Sequence, residues 1–277
     1  MNKEKVFFFC HIPKTAGSTF DVILRRNFIG KYLWLTHAFF ERRLAATQVE
    51  EMLSVSTHYR CIAGHRVSCD LPYDNNKYDV RSICFVRDPV DRFVSEFYYL
   101  KKIGRDSKIG GAKTIEEFVD MVCVNPSRFS WALDPQAACT MLDFEQVDLL
   151  LRQRKLMVLP SEKFNDAMLL LNHIYPTSFK DVSYMSRNVN SKRPRALDPV
   201  LAEKIRSMNP KDTNLWGAAI SFVEELIADC GCDFDQGILS KRRRMSIFSW
   251  IRGRFLEKGL ELCGAIGVKM KYLKLPM

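Results

Sequence analysis

Residues 6–19, VFFFCHIPKTAGST, open with an apolar run from Val6 to Cys10 and close in a turn containing Pro13, Lys14 and Gly17, followed by Ser18 and Thr19. The next residues are amphipathic, with Phe20, Ile23 and Leu24 on one side and Asp21, Arg25 and Arg26 nearby. The pattern predicts a buried strand, a tight loop and the start of a helix. In that arrangement backbone N–H groups and the positive end of the helix dipole converge on one spot, which suits a phosphate or another oxyanion. Lys14 adds a point charge, the hydroxyls of Thr15, Ser18 and Thr19 add short-range donors, and Pro13, Ala16 and Gly17 shape the turn. The loop departs from the Walker A pattern, whose lysine follows the second glycine; here Lys14 precedes Gly17. A purely structural turn carrying a surface lysine is the other reading of the same residues.

Working outward, further apolar runs occur at 59–65 (YRCIAGH), 81–87 (RSICFVR) and 155–160 (KLMVLP), each read as a strand. Residues 32–40 are also apolar, and a helix is expected over 41–54. Asp88-Pro89 reads as N-cap and first helical residue, opening a helix to residue 102 with Phe93, Phe97 and Leu100 on one face and Arg92, Ser95 and Glu96 on another. The glycine-rich, basic segment 103–114 reads as an exposed loop. Helices are expected over 114–124, with Thr114 and Glu117 at capping spacing, over 144–154, from Ser161 to about residue 175, from Asp198-Pro199 to 208, and over 212–229. Alternating strands and helices imply an α/β fold with a mostly parallel sheet flanked by helices. Ligands on such sheets sit at the carboxyl ends of the strands. Lys14, His65 and Arg87 each fall just past such an end.

The 277 residues, 47% hydrophobic and 27% charged, fit a globular chain, divided here into a domain over 1–240 and a basic tail over 241–277. No 18-residue apolar run marks a transmembrane helix, and the N-terminal apolar run is short for a signal peptide, so a cytoplasmic location is expected. Nine cysteines without a CxxC pair read as reduced, mostly buried thiols, with no metal site expected. The formal charge of +10 favours acidic partners without choosing among nucleotides, polysaccharides, nucleic acid or lipid. The tail begins Lys241-Arg242-Arg243-Arg244 and interleaves Trp250, Phe255 and Leu262 with Arg252, Arg254 and Lys258. It is either a peripheral contact with a membrane surface or a final helix with a solvated basic face.

Two stretches taken together, HIPKTAGST at 11–19 and CFVRDPVDRFVSEFYYL at 84–100, resemble the carbohydrate sulfotransferases, most closely the heparan sulfate 2-O-sulfotransferase-like branch. Fainter echoes are Gly64-His65, Asp134-Pro135-Gln136, LPSEKF at 159–164 and the Asn209/Asp212 stretch, so the likeness runs over about 5–227 and leaves out the tail. The resemblance implies a P-loop NTPase-like sheet and the donor 3′-phosphoadenosine 5′-phosphosulfate. It implies that Pro13, Lys14, Thr15, Ala16, Gly17, Ser18 and Thr19 hold the 5′-phosphosulfate and that Arg87 and Ser95 hold the 3′-phosphate. The physical chemistry agrees: a donor with two separated anionic groups needs two anion sites, and a guanidinium forks onto phosphate oxygens. Arg87 could equally end its strand in an ion pair with Asp88 or Asp91.

In sulfuryl transfer, as in phosphoryl transfer, positioning and charge stabilisation do most of the work. Lys14 suits stabilisation or protonation of the leaving phosphate. His65 suits the general base, its ordinary pKa being about 6.5, and it matches the family's catalytic histidine. His11 competes for that role; His37, His58 and His173 are read as structural or surface, and Glu162 is held in reserve. The basic loop at 186–195, with Lys192 and Arg193, either closes over the donor, lines an acidic acceptor or is merely solvated. The expected acceptor is a saccharide or glycolipid, acidic or neutral, and no nucleic-acid partner is expected. The alternatives are a P-loop kinase-like ATP-dependent phosphotransferase and a basic module that binds anions or membranes.

Overall fold

A strand covered on both faces needs apolar side chains at successive positions, and β1 (Glu4–Cys10) has them: Val6, Phe7, Phe8, Phe9 and Cys10 are all buried. The computed structural model describes residues 3–35, 43–55, 58–184 and 197–230. Within them the order is β1, α1 (Gly17–Asn27), β2 (Tyr32–Leu35), α2 (Ala46–Val55), β3 (Cys61–Gly64), β4 (Tyr78–Val86), α3 (Pro89–Lys102), α4 (Ile115–Val124), α5 (Pro135–Thr140), α6 (Phe144–Arg152), β5 (Leu156–Pro160), α7 (Phe164–Ile174), α8 (Pro199–Met208) and α9 (Pro210–Cys230). The five described strands form one sheet in the order β2-β3-β1-β4-β5, every pairing parallel. This is the α/β architecture expected from the alternation of strands and helices.

Register brings the strand ends level. Cys10 of β1 pairs with Gly64 of β3 and with Cys84 of β4, and Gly64 pairs with Leu35 of β2. His11 and His65 therefore leave adjacent strands at the same height. Phe7 packs against Phe28, Tyr175 and Phe179, and Phe9 against Phe20, fastening α1 over that face. A second apolar cluster lies beyond α3, where Phe93 and Phe97 stack on Phe118 of α4 and Ile205 of α8 joins them.

Three local expectations are corrected. The segment 103–114 contains a 3₁₀ turn (Asp106–Ile109), and its Ile109 and Ala112 are buried in the second cluster, so it is docked rather than wholly exposed. Ser161 makes no cap bond; it opens a 3₁₀ turn (Ser161–Lys163), and α7 begins at Phe164. The apolar residues after Gly30 form the short strand β2, and α5 occupies a segment assigned to no element from sequence. Asp88, Thr114 and Asp198 do cap their helices. The loop at 186–195, His37 and the tail 241–277 lie outside the described residues. No described helix is long and apolar enough to cross a membrane.

Candidate functional site

The loop after β1 turns sharply because two of its residues adopt left-handed backbone: Lys14 has φ 70° and Ala16 has φ 68°. Neither is glycine, so each conformation costs about 1 kcal/mol, a strain typical of functional sites. Thr15 braces the turn. Its buried hydroxyl donates to the Ile12 carbonyl at 2.9 Å, so its proton is committed within the turn. Ala16 stands at the N-cap of α1, and its carbonyl accepts from Thr19 N at 2.9 Å and Phe20 N at 3.3 Å. No side chain caps this helix. The amides of Gly17 and Ser18 therefore keep the geometry that receives an anion, whereas Thr19 N is committed to the Ala16 carbonyl.

The cations assemble around this loop. Arg87 Nη1 donates to the Lys14 carbonyl at 3.4 Å, so the two expected anion-binding groups meet across neighbouring strand ends. Its Nη2 lies 3.5 Å from Asp91 Oδ2, a partly exposed pair of little energetic weight. The Lys14 ammonium rests 4.0 Å from the centroid of the Tyr99 ring. Tyr99 and Ser95 are spaced i, i+4 on α3, so that face of the helix borders the loop. Burial pushes the Lys14 ammonium below the usual lysine range, reinforced by the charges of Arg87, Arg92 and Lys102 and opposed by Glu96. Burial likewise lowers Arg87 and Arg92.

Two groups grip the backbone that carries Arg87. The buried Gln136 side chain accepts from Arg87 N at 2.8 Å and donates to Arg87 O at 2.9 Å. One residue on, Asp88 N donates to Glu162 Oε1 at 3.0 Å. Glu162, the reserve candidate for a base, thus accepts from the backbone beside Arg87 and from Trp216 Nε1 at 3.3 Å.

His65 and His11 form a stacked pair, centroids 4.3 Å apart and planes at 19°. His65 Nδ1 lies 2.9 Å from the His11 carbonyl oxygen. A carbonyl only accepts, so Nδ1 carries a proton; in the neutral ring the lone pair is then on Nε2, the tautomer a general base requires. His11 is different. Its ring is buried between Phe9 and His65, with Trp34 at its edge, and its Nδ1 has no hydrogen-bond partner. Burial first, then the charges of His65 and Arg43, push its pKa down to about 3. His11 is thus buried and a weak base, held neutral at ordinary pH, which favours His65 over it for that role. His58 and His173 are surface residues, as expected.

Pro13 to Thr19, His65, Arg87 and Ser95 thus share one edge of the sheet, whereas Lys192 and Arg193 lie outside the described residues. Beside the loop is a concavity of about 260 Å³ that Ala16, Thr19, Glu162, Phe164, Asn165 and Tyr184 help to line. A larger hollow of about 430 Å³ lies at the opposite strand ends, where Lys5 pairs with Asp79 and Lys155 with Asp74. Among the described residues no group of three or more His, Cys, Asp or Glu is arranged to hold a metal. Gln136 and Tyr99 were not singled out as site residues from sequence. The sole signal for Gln136 was its place in Asp134-Pro135-Gln136.

Comparison with known proteins places these features in context. The profile of the "Sulfotransferase family" matches residues 1–216. A crystal structure of a sulfotransferase from Alicyclobacillus acidocaldarius aligns with 79% of this chain and 97% of that one, at 17% identity and a TM-score of 0.46. No curated protein matches the sequence.

Proposed function

The chain belongs to the sulfotransferase family, whose members draw on 3′-phosphoadenosine 5′-phosphosulfate, and we propose that it moves the sulfuryl group to a hydroxyl of a saccharide or glycolipid. The observation that carries the reading is the contact between Arg87 and the Lys14 carbonyl, which sets a guanidinium against an uncapped helix N-terminus. One anionic end of the donor lies on the amides of Gly17 and Ser18 with Lys14, and the 3′-phosphate lies on Arg87 and Ser95. The concavity between Ala16 and Phe164 has room for part of the nucleoside.

The acceptor oxygen attacks sulfur as the bond from sulfur to the bridging phosphate oxygen breaks. The hydroxyl proton passes to His65 Nε2, and adenosine 3′,5′-bisphosphate leaves. Lys14 and the loop amides stabilise the charge that grows on the departing phosphate, where low local polarity strengthens them. The exposed residues Lys102, at the end of α3, and Arg105 and Lys108, just beyond it, favour an acceptor that carries negative charge.

Transfer of labelled sulfate to a panel of glycans and glycolipids tests the reaction, and thermal shift tests the donor. Adenosine 3′,5′-bisphosphate should stabilise the protein more than ATP with magnesium. Lys14→Ala and His65→Ala should each abolish turnover, with His65→Ala keeping bisphosphate affinity and Arg87→Ala losing it. Preferential stabilisation by ATP with magnesium overturns the donor assignment; normal turnover in the His65 variant removes that residue from the mechanism.

A further inference from the structure

We infer that Gln136 is a positioning residue for recognition of the donor's 3′-phosphate, acting through the backbone of Arg87. The inference rests on the proposed reading that Arg87 meets that phosphate. The ladder between β4 and β5 ends at Val86 and Pro160, so Arg87 is the first residue beyond the sheet's own pairing. A residue at that place would ordinarily begin a loop and take several conformations. Gln136 prevents this. Its amide oxygen accepts from Arg87 N at 2.8 Å while its amide nitrogen donates to Arg87 O at 2.9 Å, so one side chain serves as a one-residue strand neighbour. Both ends of the side-chain amide are used, and the residue is fully buried.

Gln136 is itself held. The carboxylate of Asp212, at the start of α9, accepts from Gln136 N at 3.2 Å and from Ala137 N at 2.8 Å. Asp212 N donates back to Asp134 Oδ1 at 2.9 Å, and Asp134 N donates to Asn209 Oδ1 at 2.8 Å. Asp212 is fully buried and lies in the field of the buried Arg92 guanidinium of α3. Burying a carboxylate in this way is costly unless its oxygens are satisfied, and here they are satisfied by the two amides that place Gln136. The first turn of α5 is thereby fixed to α9, and the side chain that α5 projects fixes Arg87.

Recognition through a fork needs its origin fixed, because two parallel N–H···O bonds tolerate little displacement. With the Gln136 bonds gone, the Arg87 backbone keeps only the neighbouring bond from Asp88 N to Glu162, and the Asp91 carboxylate already 3.5 Å away competes for the guanidinium. The loss should fall on the 3′-phosphate alone.

The test compares adenosine 3′,5′-bisphosphate with adenosine 5′-phosphate, which lacks the 3′ group, by calorimetric titration of the full chain. Gln136→Met keeps length and apolar volume and removes both bonds. It should weaken the bisphosphate roughly tenfold while leaving the monophosphate within about twofold. Gln136→Glu keeps the acceptor for Arg87 N, loses the donor to Arg87 O, and should fall between; it supplies the same readout if the methionine variant does not fold. In an Arg87→Ala background Gln136→Met should have no further effect on either ligand. Equal weakening of both ligands, or an unchanged preference in the variants, would show Gln136 to be structural only and overturn the inference. A wild-type protein with no preference for the bisphosphate would instead refute the donor reading, and the inference with it.

Discussion

Replacing Gly17 by alanine tests how tightly the loop and the histidine pair are joined. A Cβ at Gly17 would lie 2.0 Å from His11 Cδ2 and 2.2 Å from His11 Nε2. Carbon atoms in contact prefer about 3.5–4.0 Å, so the imidazole would have to retreat by roughly 1.5 Å. It has nowhere to go: His65 stacks on it at 4.3 Å, Phe9 lies at 5.5 Å and Trp34 closes the edge at 5.5 Å. Overpacking of this kind costs about 1–3 kcal/mol. The backbone of Gly17 is not left-handed, so glycine holds no conformational advantage there, and alanine's better helix propensity returns up to about 1 kcal/mol. The net expectation is a loss of about 1–2 kcal/mol, or a few degrees in Tm for a chain of this size.

The decisive comparison is a double-mutant cycle. In a His11→Ala background the atoms that the new methyl meets are gone, and Gly17→Ala should become neutral or mildly stabilising. Urea unfolding of the four proteins, followed by tryptophan fluorescence, should give a coupling energy of about 1–3 kcal/mol. A coupling below about 0.5 kcal/mol, with Gly17→Ala equally harmful in both backgrounds, would mean that glycine is needed there for another reason and would refute the steric argument.

Two further predictions concern stability. Folded His11 titrates at about 3 and unfolded histidine near 6.5, so between those values the unfolded chain binds the extra proton and stability falls as pH falls. The contribution lost between pH 7 and pH 5 is about 2 kcal/mol; wild type should lose that much more than His11→Phe over the same interval, and equal losses would show that His11 is not held neutral. Ala16→Gly should raise Tm by about 1–3 °C, because glycine adopts the left-handed N-cap at no steric cost; a fall in Tm would mean that the backbone there is unstrained.

Legibility followed the range of the interactions. β1, its loop and the Asp88-Pro89 start of α3 were readable because each is specified within a few residues: an apolar run, a turn, a cap. His65 and Arg87 could be placed at the site because parallel strands deliver their carboxyl ends to one edge. What escaped depends on contacts distant in sequence. β2 has four residues, and its strand identity comes from pairing with β3. The glycines and lysines of 103–114 signal exposure, yet Ile109 and Ala112 find a core supplied by α3 and α4. Thr15 looked like a ligand donor because hydroxyls suit anions; only the fold of its own turn shows that the proton is committed to Ile12. Gln136 meets Arg87 across 49 positions of chain, and its place in Asp134-Pro135-Gln136 gives no sign of that contact.

The electrostatics explain why this edge, rather than the larger hollow at the opposite strand ends, suits an anion. At that hollow Lys5 and Lys155 each already face a carboxylate, so an arriving anion would have to displace one. At the loop Arg87 also faces a carboxylate, Asp91 at 3.5 Å, but Lys14 is set among several cations. Lys14 is depressed by burial and by three neighbouring cations, against one opposing carboxylate. Arg87 and Arg92 are depressed by burial as well. Each shift records free energy spent in keeping a proton on a partly desolvated base. An anion placed among these groups recovers part of that energy. On the proposed reading, strain in the backbone and the crowding of cations are two parts of one arrangement, in which stability is given up to receive the doubly charged donor.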